Sequence, residues 1–130
     1  MDENDFWNKH SLRFLEMAYA PENRERIEKP DGYGTRTGEC GDRVEFFIMV
    51  DQGCLSHISF EVDGCLNTMA CCNTVVRLAE GQTVEEAWRI TPDEVDKYLE
   101  TLPADHYHCA ELAMGGFYLA LSAYENRSTG

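Results

Sequence analysis

The 130-residue sequence predicts an α+β domain in which helices pack over one face of a small antiparallel sheet. Three observations carry this reading. Two adjoining segments, Val44 to Val50 and His57 to Asp63, alternate with period two around a short turn. Everything after Cys65 switches to three- and four-residue spacing, and one helical stretch precedes the strands. Strands and helices segregated in this way form separate layers rather than alternating βαβ units. At this length, with 43% apolar residues, a single domain spanning 1–130 is expected.

Taken in order, Asn8 to Ala20 reads as an amphipathic helix, with Leu12, Leu15 and Tyr19 as its apolar stripe and Phe14 and Met17 broadening it. Pro21 stops it. Glu22 to Lys29 is almost entirely charged and is expected to be solvated, and Pro30-Asp31-Gly32-Tyr33-Gly34 opens a glycine-rich loop running to Gly41. In the first strand Val44, Phe46, Ile48 and Val50 share a face opposite Glu45, Phe47 and Met49. In the second, Ile58, Phe60 and Val62 share a face opposite His57, Ser59, Glu61 and Asp63. Asp51-Gln52-Gly53 joins the two as a hairpin. A helix from Leu66 carries Leu66, Met69, Asn73, Val76 and Ala79 on its core side, until Gly81 ends it. Thr83 to Glu86 and Thr91 to Glu94 are capping boxes that start two short helices, Val84 to Arg89 and Pro92 to Thr101. After the Leu102-Pro103 break, a last helix begins near Asp105 to Tyr107, with Tyr107, Ala110, Met114, Phe117, Leu121 and Tyr124 along one side.

Composition narrows the function. Net charge is −13, from 24 acidic against 11 basic side chains, which repels phosphate backbones and counts against nucleic-acid binding. The same charge attracts cations and basic protein surfaces. No segment is long and apolar enough for a membrane span, and the acidic start Met1-Asp2-Glu3-Asn4-Asp5 lacks the pattern of a secretory signal. A cytoplasmic, reducing setting is expected, where cysteines serve as ligands, nucleophiles or core rather than disulfides.

Three of the six cysteines fall at the ends of these elements. Cys40 lies in Gly38-Glu39-Cys40-Gly41-Asp42, entering the first strand. Cys65 follows Asp63-Gly64 at the start of a helix, where the dipole and free N–H groups favour thiolate. Cys109 follows His106-Tyr107-His108 in the first turn of the last helix. Hairpin geometry puts Cys40 and Cys65 at the same end of the ladder, and the last helix is assumed to bring Cys109 there. Three thiolates suit zinc or an iron–sulfur cluster. The spacing contains no Cys-x-x-Cys, so by itself it leaves scattered core or loop cysteines as an open alternative.

The motifs around these cysteines resemble the IscU/NifU-type family of iron–sulfur scaffold proteins. Gly38-Glu39-Cys40-Gly41-Asp42 before a strand looks like its first cysteine motif, and Asp63-Gly64-Cys65 before a small-residue helix looks like its second. Leu102-Pro103 leading into His108-Cys109 looks like the third, and Glu80-Gly81-Gln82-Thr83-Val84-Glu85-Glu86-Ala87 matches the intervening stretch. In order and spacing the likeness runs from about Ser11 to Tyr124.

That resemblance implies an IscU/NifU-like fold and a scaffold that assembles [2Fe–2S] clusters, from which [4Fe–4S] species can form. Its implied partners are a sulfur-donating cysteine desulfurase, an electron donor such as ferredoxin, and recipient apo-proteins. Carried over, Cys40, Cys65 and Cys109 become cluster or zinc ligands, with Asp42 and His108 completing or destabilising the coordination. Such a scaffold is a template rather than a turnover enzyme, and whether it forms a homodimer around a cluster is left open. Cys109, beside His108, is the first choice for accepting persulfide, on the expectation of an exposed thiol of lowered pKa, with Cys40 the second. The family's chaperone-recognised leu-pro-pro-val-lys reads Leu102-Pro103-Ala104-Asp105-His106 here, which counts against reliance on an Hsp70-type chaperone. The further domains of full-length NifU are not found, so the scaffold module alone is expected.

Two rival readings stand beside this one. The first is a zinc-holding persulfide acceptor. The second is a thiol enzyme pairing Cys109 with His108, disfavoured because neighbours on a helix diverge by about 100°. Cys71 and Cys72 read as core, and Cys54 at the turn has no assigned role.

Overall fold

The computed structural model describes residues 10–129. Asn8 and Lys9, where the first helix was expected to begin, and the acidic Met1 to Asp5 lie outside the described residues. The elements are α1 (Leu12–Tyr19), β1 (Gly32–Thr37), β2 (Arg43–Asp51), β3 (Cys54–Asp63), α2 (Leu66–Ala79), α3 (Val84–Trp88), α4 (Pro92–Leu99), a 3₁₀ turn (Ala104–His106) and α5 (Tyr107–Thr129). The strands form an antiparallel sheet in the order β1-β2-β3, and helices cover its inner face.

The β2–β3 hairpin follows the sequence pattern. Val44, Phe46, Ile48, Ile58 and Phe60 are buried on one face. Gln52 and Gly53 both adopt positive φ, 51° and 81°, as a two-residue turn matched to strand twist requires. Phe47 departs from the pattern, being buried on the outer face beneath Arg26, whose guanidinium lies 5.3 Å from the ring centre.

Two segments read as loop or solvated chain belong to the sheet instead. Within the glycine-rich stretch, Gly32 to Thr37 pair with Ile48 to Arg43 as a third strand. Glycine is needed there because α5 crosses the strand closely. A Cβ at Gly34 would collide with backbone atoms of Gly116 and Ala120, and one at Gly32 with the Ala120 carbonyl. The charged stretch after Pro21 keeps mostly exposed side chains, but its backbone edges β3: Phe60 N–H donates to Asn23 O at 2.9 Å and Glu25 N–H donates to Phe60 O at 3.2 Å.

In α1 the buried face is Phe14, Met17 and Ala18, whereas Leu12 and Tyr19 of the expected stripe are 74% and 63% exposed. Helix α2 is buried on almost every side, because α1, α4, α5 and β3 surround it. Leu66 and Met69 are only half-buried, while Cys71, Cys72 and Val75 point into the core. Buried Asn73 is held by hydrogen bonds it donates to the carbonyls of Met17 (2.6 Å) and Ala20 (3.1 Å), which closes the C-terminus of α1. The Thr83 capping box is complete; at Thr91 the hydroxyl accepts from the Glu94 N–H. Phe46 stands at the centre of the core, 5.8 Å from both Phe60 and Phe117, ring centre to ring centre. Among the described residues no helix is long and apolar enough to cross a membrane.

At the open end of the hairpin Arg43 pairs with Asp63, so Asp42 and Gly64 emerge side by side. The turn between β1 and β2 and the N-termini of α2 and α5 meet there.

Candidate metal centre

Asp42 reaches its place through a tight turn rather than the open loop expected. The N–H of Gly38 donates to Asp42 O at 2.8 Å, that of Gly41 donates to Gly38 O at 3.0 Å, and Gly41 takes φ 92°. The Asp42 carboxylate then folds across Gly64, where a Cβ would lie only 2.6 Å from its Oδ2. Glycine in Asp63-Gly64-Cys65 therefore makes room for the acid. Oδ2 accepts hydrogen bonds from the Cys65 N–H at 3.2 Å and the Thr68 hydroxyl at 2.7 Å.

Cys65 is the N-cap residue of α2, and its side chain makes no capping bond. A carboxylate from another element holds the start of the helix instead, with its charge at the positive end of the dipole. The Cys65 thiol stays exposed, with Sγ 3.6 Å from Thr68 Oγ1. Cys109, in the first turn of α5, is buried. One ligand atom each from Asp42, Cys65 and Cys109 lie within 4.8 Å of one another. A tetrahedral zinc with Zn–S near 2.3 Å sets its ligands about 3.8 Å apart, so small side-chain movements would close the three around one ion.

The other two residues singled out from the sequence flank this trio. Cys40 is exposed in the β1–β2 turn, where its thiol helps to lower the Asp42 carboxyl, but it lies outside the three-atom group. His108 is exposed with Nε2 3.7 Å from Cys109 Sγ, so the first turn of α5 does let these neighbours lean together. His106 stacks on His108 at 5.7 Å.

Burial tends to raise the Asp42 carboxyl, but hydrogen bonds from Thr68, the Cys65 N–H and the nearby Cys65 and Cys40 thiols outweigh it. It is held below the ordinary carboxylate range and is ionised at neutral pH. Cys109 behaves in the opposite way to the exposed, acidified thiol expected from the sequence. Burial pushes it up to about 11, against a smaller lowering by Thr68, and the charges of Cys65 and Asp42 add to the rise. A cation bound at this thiol would displace its proton. Cys71 and Cys72 are core residues with thiols pushed up by burial, and Cys54 is half-buried near the hairpin turn.

Thr68 was not singled out in the sequence. The available signal was its position three residues after Cys65, which places it one turn along the same side of a helix.

The NifU-like N terminal domain family matches residues 10–130 of this chain. Iron-sulfur cluster assembly scaffold protein IscU 1 of Archaeoglobus fulgidus is 35% identical over 116 residues, covering 88% of this chain and 76% of the relative. Nitrogen fixation protein NifU of Cereibacter sphaeroides is 28% identical over 115 residues, of which this chain spans 47% of the length. The solved N-terminal part of a NifU-like protein from Brucella abortus shares the fold, with a TM-score of 0.75 at 20% identity over 90% of this chain and 94% of that one.

Proposed function

The chain belongs to the family of NifU-like N-terminal domains, and from that premise we propose that it is a scaffold on which iron–sulfur clusters are assembled and handed on. The observation that carries this is the convergence of Asp42, Cys65 and Cys109, from three separate segments, to within 4.8 Å. A scaffold has to hold its cargo and then release it. Four thiolates hold an iron–sulfur cluster firmly, whereas a carboxylate or imidazole in the fourth position makes a weaker, exchangeable bond.

In this reading residues 1–130 act as one scaffold domain. Cys40, Cys65 and Cys109 ligate a [2Fe–2S] cluster, which can go on to [4Fe–4S], and Asp42 with His108 supplies the labile position. Cys40 joins the trio by a movement of its exposed turn. A cysteine desulfurase supplies sulfur, a ferredoxin-like donor supplies electrons, and apo-proteins in the cytoplasm receive the cluster. Cys40, exposed as Cys65 also is, is the first acceptor thiol for a persulfide in this conformation, and Cys109 accepts sulfur only once its enclosure opens. The role is that of a template rather than an enzyme. A buried Cys109 thiol near 11 is a poor nucleophile beside His108, which weighs against the thiol-enzyme reading.

A zinc-holding persulfide acceptor is the second reading, favoured by the same spacing, which suits a single tetrahedral ion. Anaerobic incubation with ferrous iron, cysteine and a cysteine desulfurase separates the two. Wild type should gain iron and acid-labile sulfide in equal amounts and pass them to apo-ferredoxin, and Asp42→Ala, which leaves the fourth position to His108 alone, should hold its cluster longer. One tightly held zinc and no labile sulfide would overturn the scaffold reading and leave the sulfur acceptor.

A further inference from the structure

We propose that Thr68 is a positioning residue for this site: its hydroxyl holds Asp42 to one available carboxylate oxygen and so keeps the fourth bond to the cargo weak. The consequence for cluster release rests on the scaffold reading, but the hold on Asp42 does not.

The Thr68 side chain is fully buried in the first turn of α2, on the side of the Cys65 thiol. Its Oγ1 lies 2.7 Å from Asp42 Oδ2 and 3.6 Å from Cys65 Sγ. A hydroxyl has a single proton, and an ionised carboxylate can only accept. The Thr68 proton therefore goes to Oδ2, in a charge-assisted bond, and the hydroxyl lone pairs are left for the Cys65 S–H.

Both of the firm donors to Asp42, the Thr68 hydroxyl and the Cys65 N–H, fall on the same oxygen. The thiols beside the carboxylate lose their protons on binding metal, but these two donors do not. Oδ2 is also wedged against Gly64, with no space for even a methyl group between them. Rotating it toward a metal would break two hydrogen bonds and unseat the carboxylate, so Oδ1 is the oxygen left to coordinate. A carboxylate bound through one oxygen, its charge shared with two donors, is a weaker ligand than one bound through both. Valine at this position keeps the shape and removes the shorter of the two hydrogen bonds, leaving Oδ2 held by the Cys65 N–H alone and easier to turn toward a metal.

The test compares wild type, Thr68→Val and Thr68→Ser in two measurements. Infrared difference spectra of zinc-loaded against metal-free protein report the splitting between the carboxylate stretches, with Asp42→Ala identifying the band. Wild type and Thr68→Ser should show the wide splitting of one-oxygen binding, and Thr68→Val the narrow splitting of two. In transfer to apo-ferredoxin, Thr68→Val should be at least about fivefold slower than wild type, the scale of one lost hydrogen bond to a charged group, and Thr68→Ser close to wild type. Thr68→Ala removes the same hydroxyl should valine disturb the packing. An unchanged splitting in Thr68→Val, or valine and serine behaving alike in either measurement, would reduce Thr68 to a packing residue. If wild type assembles no cluster, the scaffold reading fails while the zinc-loaded spectra still decide whether Thr68 holds Asp42.

Discussion

Cys65 and Cys109 lie beside the same carboxylate but in opposite surroundings. Cys65 is open to solvent at the N-terminus of α2, whereas Cys109 is enclosed with its thiol near 11, against 9.0 for an ordinary cysteine. That difference lowers the thiolate fraction of Cys109 at pH 8 roughly a hundredfold, before any steric shielding is counted. In chelator-treated, folded protein, an iodoacetamide time course read by peptide mass spectrometry should therefore modify Cys40 and Cys65 first. Cys109 should follow at least about tenfold more slowly, since the greater nucleophilicity of a higher-pKa thiolate offsets part of its lost thiolate fraction, and buried Cys71 and Cys72 last. Because the shift is upward, the Cys109 rate should climb about tenfold per pH unit up to its titration near 11. Equal rates for Cys40 and Cys109 would mean that the enclosure does not persist in solution. A persulfide could then reach Cys109 directly, without a prior opening of its flank by Cys40 and His108.

Strand β1 exists because α5 can lie almost against its backbone where Gly32 and Gly34 carry no side chain. Gly34→Ala should cost about 2 kcal/mol or more, several degrees in Tm, since the new methyl meets backbone atoms that cannot rotate away. Exposed Thr37→Ala in the same strand should stay within about 0.5 kcal/mol. Equal melting of the two variants by circular dichroism would show that the crossing is loose. The same contact explains what could and could not be read from the residues alone. The β2–β3 hairpin and the Thr83 box were legible because their signals are local: alternating Val44, Phe46 and Ile48, a glycine turn, a hydroxyl three residues before an acid. Gly32 and Gly34 read as loop because what makes them a strand is a helix distant in the chain. In α1 two apolar stripes compete, and the choice of Phe14 and Met17 over Leu12 and Tyr19 is made by α2 and α4, which local spacing does not report. The order of Cys40, Asp42, Cys65 and Cys109 was visible as motifs, whereas Thr68 acts through a hydrogen bond across two elements and belongs to no motif.

Across the whole molecule, 24 acidic side chains face 11 basic ones, and among the described residues few of them are closely paired. Among the described residues Arg24 with Glu61 at 4.0 Å and Arg89 with Glu85 at 3.4 Å join exposed partners, each pair contributing less than about 1 kcal/mol. Arg127 with half-buried Asp31, at 2.7 Å, is tighter, and Asp31 also accepts from the Val50 N–H at 2.8 Å, tying the end of α5 to the sheet. A net charge of −13 on a chain this small repels itself more strongly in the compact state than in the unfolded one. Salt therefore acts mainly by relieving repulsion, because there is little favourable pairing for it to screen. The Debye length falls from about 30 Å at 0.01 M to about 8 Å at 0.15 M, so most of the gain should come in that interval. Tm should rise by several degrees between about 10 and 150 mM sodium chloride and level off above it, equally with potassium chloride. A Tm that falls over this range would mean that specific ion pairs outweigh the general repulsion. It would also remove the reason to expect this acidic surface to speed its encounter with basic partners at low salt, since that steering depends on the same unscreened field.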